Sequence, residues 1–249
     1  MPDVVSLPEA GYTFLKGQSH PFSAGVACLK GYGLTRVRLR TPLPLAEGLA
    51  KASSLIKAEG RPLSALAACE LRSPAQMSVS DFAAFNRHYV ELLRANGFPS
   101  EAPFPMARSN VAPIYTPPAT NVLFAFTYAT RPAATQAGSR PDFLISGRAE
   151  LVDEPRGVIA EGDASAAGTE RKATHVFEQL RARVEALQCH WADITGIQIY
   201  TARAIEPALP LMARLGLANV GLSLYPAYPP VVPLEFEADL RSVSLERAI

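Results

Sequence analysis

Little in this sequence points to disulfide, metal or membrane chemistry. Its three cysteines, Cys28, Cys69 and Cys189, lie far apart in apolar surroundings with no CxxC pair. That spacing gives no disulfide framework or zinc knuckle and fits buried thiols in a reducing cytoplasm. The four histidines, His20, His88, His175 and His190, show no HxH or HExxH spacing, so a metal site has no support. No run approaches the roughly eighteen apolar residues of a membrane helix, and MPDVVSLPEAGYTF lacks a basic segment followed by an apolar one. A soluble, unexported cytoplasmic chain is expected.

An excess of one charge is also missing: 24 Lys and Arg stand against 23 Asp and Glu, for a net charge of +1. No global field would gather nucleic acid or a membrane surface, which disfavours both as partners. There is no GxSxG elbow, no GxxxxGK[ST] loop and no GxGxxG fingerprint; the GYG at 31–33 fits a hairpin turn. Nucleophilic-serine, nucleotide and dinucleotide functions fall away.

What is present describes a folded chain. Apolar residues make up 48% and charged residues 19%, too apolar for disorder. A length of 249 residues fits one large domain or two small ones. FSAGVACL (22–29) and LTRVRLR (34–40) look like strands joined by KGYG, most simply as a hairpin. In 43–60, Leu45, Leu49, Ala52, Leu55 and Ile56 recur at helical spacing before Gly60. A strand follows at 63–71, then a helix with the stripe Phe82, Phe85, Tyr89, Leu92 and Leu93, capped by Ser78 or Ser80 and ended by Gly97. Such a stripe is core far more often than a platform for bases. Strands from Arg108 and over 121–129, separated by TPPA, close the first half.

Residues 130–141, rich in Pro, Gly and Ala without periodicity, read as a surface connection. The second half then repeats the order: strands in 142–154, a helix over 169–187, a strand over 193–202, a shorter helix over 204–216, and strands in ANVGLSLYP and PLEFEADLRSV. The expected organisation is a first unit over 1–130, a linker over 131–141 and a second unit over 142–249, each α+β.

Arg108, in FPMARSNVAP, is either a solvated strand-end residue or an anchor that forks onto a carboxylate. In LEFEADL, Glu235 and Glu237 share one strand face opposite Leu234, Phe236 and Ala238; a solvated face explains Glu237, and Glu235 is the stronger candidate. Arg36, Arg38 and Arg40 likewise alternate on one face, either exposed or drawing anions toward a cleft.

The stretch ACELRSPAQMSVSDFAAFNRHYVELLRANGF followed by FPMARSNVAP resembles the C-terminal half of RidA (YjgF) proteins, in which a D-F-x-x-x-N-x-x-Y helix and a Pro-containing loop lead to A-R-S before a strand. PFSAGV (21–26), FLISGR (143–148), the helix and strand of 169–200 and LEFEADL (234–240) are similar to further family segments, so the order appears twice. The resemblance implies an α+β fold of two tandem chorismate-mutase-like units, each a mixed sheet with two helices on one face, assembled as a homotrimer or homohexamer with ligand sites in clefts between subunits. It implies cofactor-free hydrolysis of an imine or enamine of a small carboxylic acid, such as a 2-imino acid or 2-aminomuconate. In that scheme Arg108 holds the carboxylate, Glu235 positions water, and Ser23, Ser146 and Asn110 are candidate substrate-binding side chains.

Each unit carries half of this pair, since Phe124 stands near the glutamate position of the first and Ala218–Asn219 near the arginine position of the second. A carboxylate-binding or regulatory module without turnover is therefore an alternative. A chorismate-processing hydrolase is another, because such enzymes also join RidA-like units.

Overall fold

The computed structural model describes residues 3–17, 21–131, 140–152 and 157–249. The N-terminal strands are β1 (Val4–Leu7), β2 (Tyr12–Leu15), β3 (Phe22–Ser23) and β4 (Gly25–Cys28). The first half continues with β5 (Gly33–Pro44), α1 (Leu45–Ala58), β6 (Leu66–Arg72), α2 (Val79–Ala95), β7 (Phe104–Pro113) and β8 (Val122–Thr130). The second contains β9 (Phe143–Ala149), the short pair β10 (Leu151–Val152) and β11 (Gly157–Val158), α3 (Ala166–Ala186), β12 (Gly196–Thr201), α4 (Leu209–Arg214), β13 (Gly221–Tyr228), β14 (Phe236–Ser242) and β15 (Leu245–Ala248).

The helices form where the apolar spacing demands them. On α1, Leu45, Leu49, Ala52 and Ile56 are buried on one stripe, each leucine contributing about 1.5–3 kcal/mol by leaving water. Ser78 caps α2 by accepting the Asp81 N–H at 3.1 Å, and Gly97 ends the turn at φ +78°. Ser165 caps α3 in the same way through the Gly168 N–H at 3.1 Å. The helix expected over 204–216 divides into a 3-10 turn at Glu206–Ala208 and the short α4, because Pro207 and Pro210 remove two backbone donors.

The duplication is visible in strand order. The first half runs β5-β8-β6-β7 and the second β9-β14-β12-β13, each with one parallel pair, β6/β7 and β12/β13, and antiparallel neighbours. α1 and α2 cover one face of the first sheet, α3 and α4 one face of the second, giving two separate apolar cores. The uncovered faces meet: Tyr12, Phe14, Val26 and Leu144 pack on Leu34, Ala67, Ala68, Ala107 and Ala129, where alanines allow close approach.

The halves exchange their ends. β1, β2 and β4 extend the second half's sheet through β9, and β15 extends the first half's sheet beside β5. The hairpin expected between 22–29 and 34–40 is therefore not formed. β4 is buried throughout and takes β2 and β9 as neighbours, β5 takes β8 and β15, and the turn at Gly31, φ +85°, carries the chain from one sheet to the other. The connection expected over 131–141 falls mainly on 132–139, which, like His20, lies outside the described residues. Among the described residues no helix is long and apolar enough to cross a membrane.

Candidate active site

Alternation on the strands sends one set of residues toward the helices and the other into the seam between the two sheets. In the seam the Arg36 guanidinium forks onto Glu70, Nε to Oε1 at 2.6 Å and Nη2 to Oε2 at 2.8 Å. The Gln198 amide donates to Glu70 at 3.0 Å and to Asp239 at 3.1 Å, and Asp239 also accepts from Tyr200 at 2.8 Å and Ser109 at 2.7 Å. Burial raises the Glu70 carboxyl, but Arg36 overrides it and brings its pKa down to about 2. Asp239 moves the other way, raised by burial and by the Glu70 charge. The arginine stripe at 36, 38 and 40 is thus not simply an exposed face: Arg36 is buried and paired, while Arg38 and Arg40 are exposed.

Arg108 lies mid-strand on β7, opposite Cys69 of β6. Its guanidinium carbon sits 4.2 Å from the Phe22 ring centroid, 5.2 Å from that of Tyr89, 5.4 Å from Phe82 and 5.7 Å from Phe85. The aromatic stripe of α2 is therefore both core and the bed on which the cation rests. Nη1 of Arg108 is buried and makes no hydrogen bond among the described residues, and the same holds for Nδ2 of Asn110, two residues on along the strand. Burial depresses the Arg108 pKa, against which Tyr89, Cys69 and Glu237 act. Two buried donors on one strand face without acceptors are costly unless an anion meets them.

Ser146 brings the second half to this point. Its hydroxyl donates to the Ser23 carbonyl at 2.6 Å and accepts the Arg108 backbone N–H at 3.2 Å. The Ser23 hydroxyl donates to the carbonyl of Gly25 at 2.8 Å. Arg108, Ser23 and Ser146, three of the residues picked from the sequence, thus come together, although the serine hydroxyls are spent on backbone. Asn110 uses its Oδ1 to accept from Ser73 at 3.0 Å.

The carboxyl whose charge reaches Arg108 is Glu237 on β14. It is buried, and burial together with the charges of Asp239 and Glu150 pushes its pKa up to about 8 against the pull of Arg72 and Arg108. The solvated face expected for Glu237 is therefore not what the fold provides, because that face of β14 lies in the seam. Arg72 is itself buried, its guanidinium carbon 4.1 Å from the Phe124 centroid and its Nη2 without a hydrogen-bond partner. Phe124, at the position where the first unit would carry its glutamate, thus supports an arginine instead.

Glu235 occupies a different setting. Its carboxylate is held by Lys172 of α3 and by Arg203, whose Nε also donates to Oε1 at 3.1 Å. Glu150 anchors the strand entry by accepting the backbone N–H groups of Glu235 at 2.6 Å and Phe236 at 3.1 Å. The motif that pointed to Glu235 contains two glutamates on one strand face, and nothing in the letters chooses between them. Cys28, Cys69 and Cys189 are free and buried, with burial raising Cys69 to about 12 and Cys189 to about 11, so none is poised as a nucleophile. Among the described residues no group of three or more His, Cys, Asp or Glu side chains is arranged to hold a metal ion.

The family described as 2-aminomuconate deaminase CnbZ matches residues 4–247 of the chain. The chain is 35% identical over 254 residues to a 2-amino-5-chloromuconate deaminase of Comamonas testosteroni, with both proteins covered in full. Among solved structures it is similar to a chorismatase, with a TM-score of 0.52 at 16% identity over 97% of this chain and 80% of that one, a likeness of fold. The YjgF gene product of E. coli aligns with 41% of this chain and 80% of its own, at 15% identity and a TM-score of 0.32.

Proposed function

Because the chain belongs to the 2-aminomuconate deaminase CnbZ family and is an enzyme acting on a C–N bond, we propose that it hydrolyses an enamine or imine of a small unsaturated acid, of the 2-aminomuconate type, to the oxo acid and ammonia. The observation that carries this reading is a carboxyl kept protonated near neutral pH, Glu237, within the field of the cation Arg108, whose Nη1 has no partner. Arg108 and the Asn110 amide anchor the substrate carboxylate. Glu237 gives its proton to the enamine carbon, turning C=C–NH2 into a C=N iminium. Water then adds to the iminium carbon as the Glu237 carboxylate takes a proton from it, and the carbinolamine collapses with loss of ammonia. One water is consumed, one C–N bond is broken, and Glu237 ends protonated as it began.

In this scheme the water-positioning role expected of Glu235 passes to Glu237, which also carries the proton, and Glu235 holds Lys172 and Arg203 in place. Ser23 and Ser146 position the strand that carries Arg108 without touching substrate. An anchor, a proton and water suffice, so no cofactor enters. The reaction takes place in the cytoplasm, and the chain assembles as a homotrimer or homohexamer, for which exposed Leu222 and Leu224 on β13 offer an apolar surface.

The test is ammonia release from 2-aminomuconate by the wild-type protein and by Arg108→Ala and Glu237→Gln. Release by the wild type that each substitution cuts by two orders of magnitude or more is expected. Absence of enzyme-dependent release from 2-aminomuconate and from simple 2-imino acids would sink the reading.

A further inference from the structure

In the seam, a cavity of about 270 Å³ opens where β5 and β15 of one sheet face β12, β13 and β14 of the other. Four arginines line it, Arg36, Arg38, Arg241 and Arg247, against one carboxylate, Glu246. Some of this charge is already used: Arg36 is forked onto Glu70, and Arg247 is bonded to Glu59 and the Tyr128 hydroxyl, both at 2.7 Å. Glu246 bridges the cavity, accepting from Arg241 Nε at 2.6 Å and from Arg36 Nη1 at 3.2 Å.

Donors remain. Nη1 of Arg241, a residue only 6% exposed, stands 3.9 Å from Asp239 Oδ1 without a hydrogen bond, Nε of Arg247 is buried without a hydrogen-bond partner, and Arg38 forms no ion pair among the described residues. Buried guanidinium N–H groups left without a hydrogen bond beside an open space are a standing demand for an oxyanion. Glu246 shows the geometry at work, since a carboxylate already spans two of the four arginines. The volume is below that of a drug-sized pocket and suits a compact ligand.

We propose that this cavity is a second anion site, separate from the Arg108 site, that binds a small molecule carrying two anionic oxygen groups through Arg38, Arg241 and Arg247. Glu246, the one carboxylate among the described residues that line the space, is committed to two arginines, so the site binds without doing proton chemistry. Gln198 lines the cavity and also donates to Asp239, the carboxylate whose charge acts on Glu237, so an occupant would touch the same hydrogen-bonded seam that sets the other site.

The test uses calorimetric titration with succinate and with inorganic phosphate on the Arg108→Ala protein, so that binding at the other arginine cannot contribute. Saturable binding of either probe, weakened about tenfold or more when Arg38→Ala is added, is expected. Arg38 is exposed and its removal leaves the buried pairs intact, so this variant folds. Succinate binding alone assigns the site to dicarboxylates, and phosphate binding alone to phosphorylated ligands. No binding of either probe, or binding that Arg38→Ala and Arg241→Gln leave unchanged, overturns the proposal.

Discussion

Gly147 has no side chain at the place where the carboxyl of Glu237 sits. A Cβ there would overlap Glu237 Oε1, lie 3.0 Å from its Cδ and come within 3.2 Å of Ser109 Oγ. The glycine is not needed for its backbone angles, since it is not among the residues of positive φ. It is needed for space, and the carboxyl it makes room for is the one to which the proposed scheme gives the proton. Gly147→Ala should therefore leave the fold intact, because only the end of a flexible side chain must move, while swinging Glu237 out of register. Deaminase activity is expected to fall at least a hundredfold with circular dichroism unchanged. Full activity in a folded Gly147→Ala protein would remove Glu237 from the mechanism.

The proton on Glu237 also links pH to both rate and stability. Its folded pKa of about 8 is raised from an ordinary 4.5, mainly by burial. Between those values the native state holds a proton that the unfolded chain has released, so stability falls as pH rises through that window and is unaffected below it. Asp239 and Glu150 are raised in the same direction and add to the slope. Glu237→Gln should make melting temperature less sensitive to pH between 5 and 8 and remove most of the activity. In the wild type, kcat/KM should decline above about pH 8 as the acid form is lost. A rate that keeps rising through pH 9 contradicts an acid role.

The helices were legible because they obey local rules: apolar spacing on α1 and α2, Ser78 as cap, Gly97 as stop. The aromatic stripe Phe82, Phe85 and Tyr89 was visible for the same reason, although its service to Arg108 was not. What the letters could not report was partner choice. β4 and β5 look like neighbours in a hairpin, yet they belong to different sheets. Glu235 and Glu237 differ in nothing local; they are distinguished by Lys172 from α3 and by the Arg72 and Arg108 charges from the other half of the chain. The short β1, β2 and β15 carry too few residues for a periodic signal and exist because a sheet edge awaits them.

Arg108 is expected to tolerate no replacement. Lysine keeps the charge but loses the planar fork and its stacking on Phe22, so Arg108→Lys should raise KM for the acid by about ten- to a hundredfold. Ser146→Ala tests the positioning claim separately. It removes the acceptor of the Arg108 backbone N–H at a cost of about 1 kcal/mol in stability. KM should then rise by less than in Arg108→Lys, with the pH profile unchanged; a shifted pH profile would place Ser146 in the proton chemistry instead.

In the proposed scheme Glu235, paired with Lys172, is the converse case, a carboxylate with a structural role. Lys172 is 1% exposed and depends on Glu235 and on the carbonyl of Asp163 at 3.1 Å. Glu235→Leu strands that ammonium in the interior, which costs about 3–5 kcal/mol for a buried pair broken from one side. Removing both charges in Glu235→Leu/Lys172→Met should restore a large part of the loss, because the lone charge is the penalty. Chemical denaturation of the two single variants and the double variant measures the coupling. A double variant no more stable than Glu235→Leu would show that Glu235 matters through Arg203, and Arg203→Ala should then match its destabilisation.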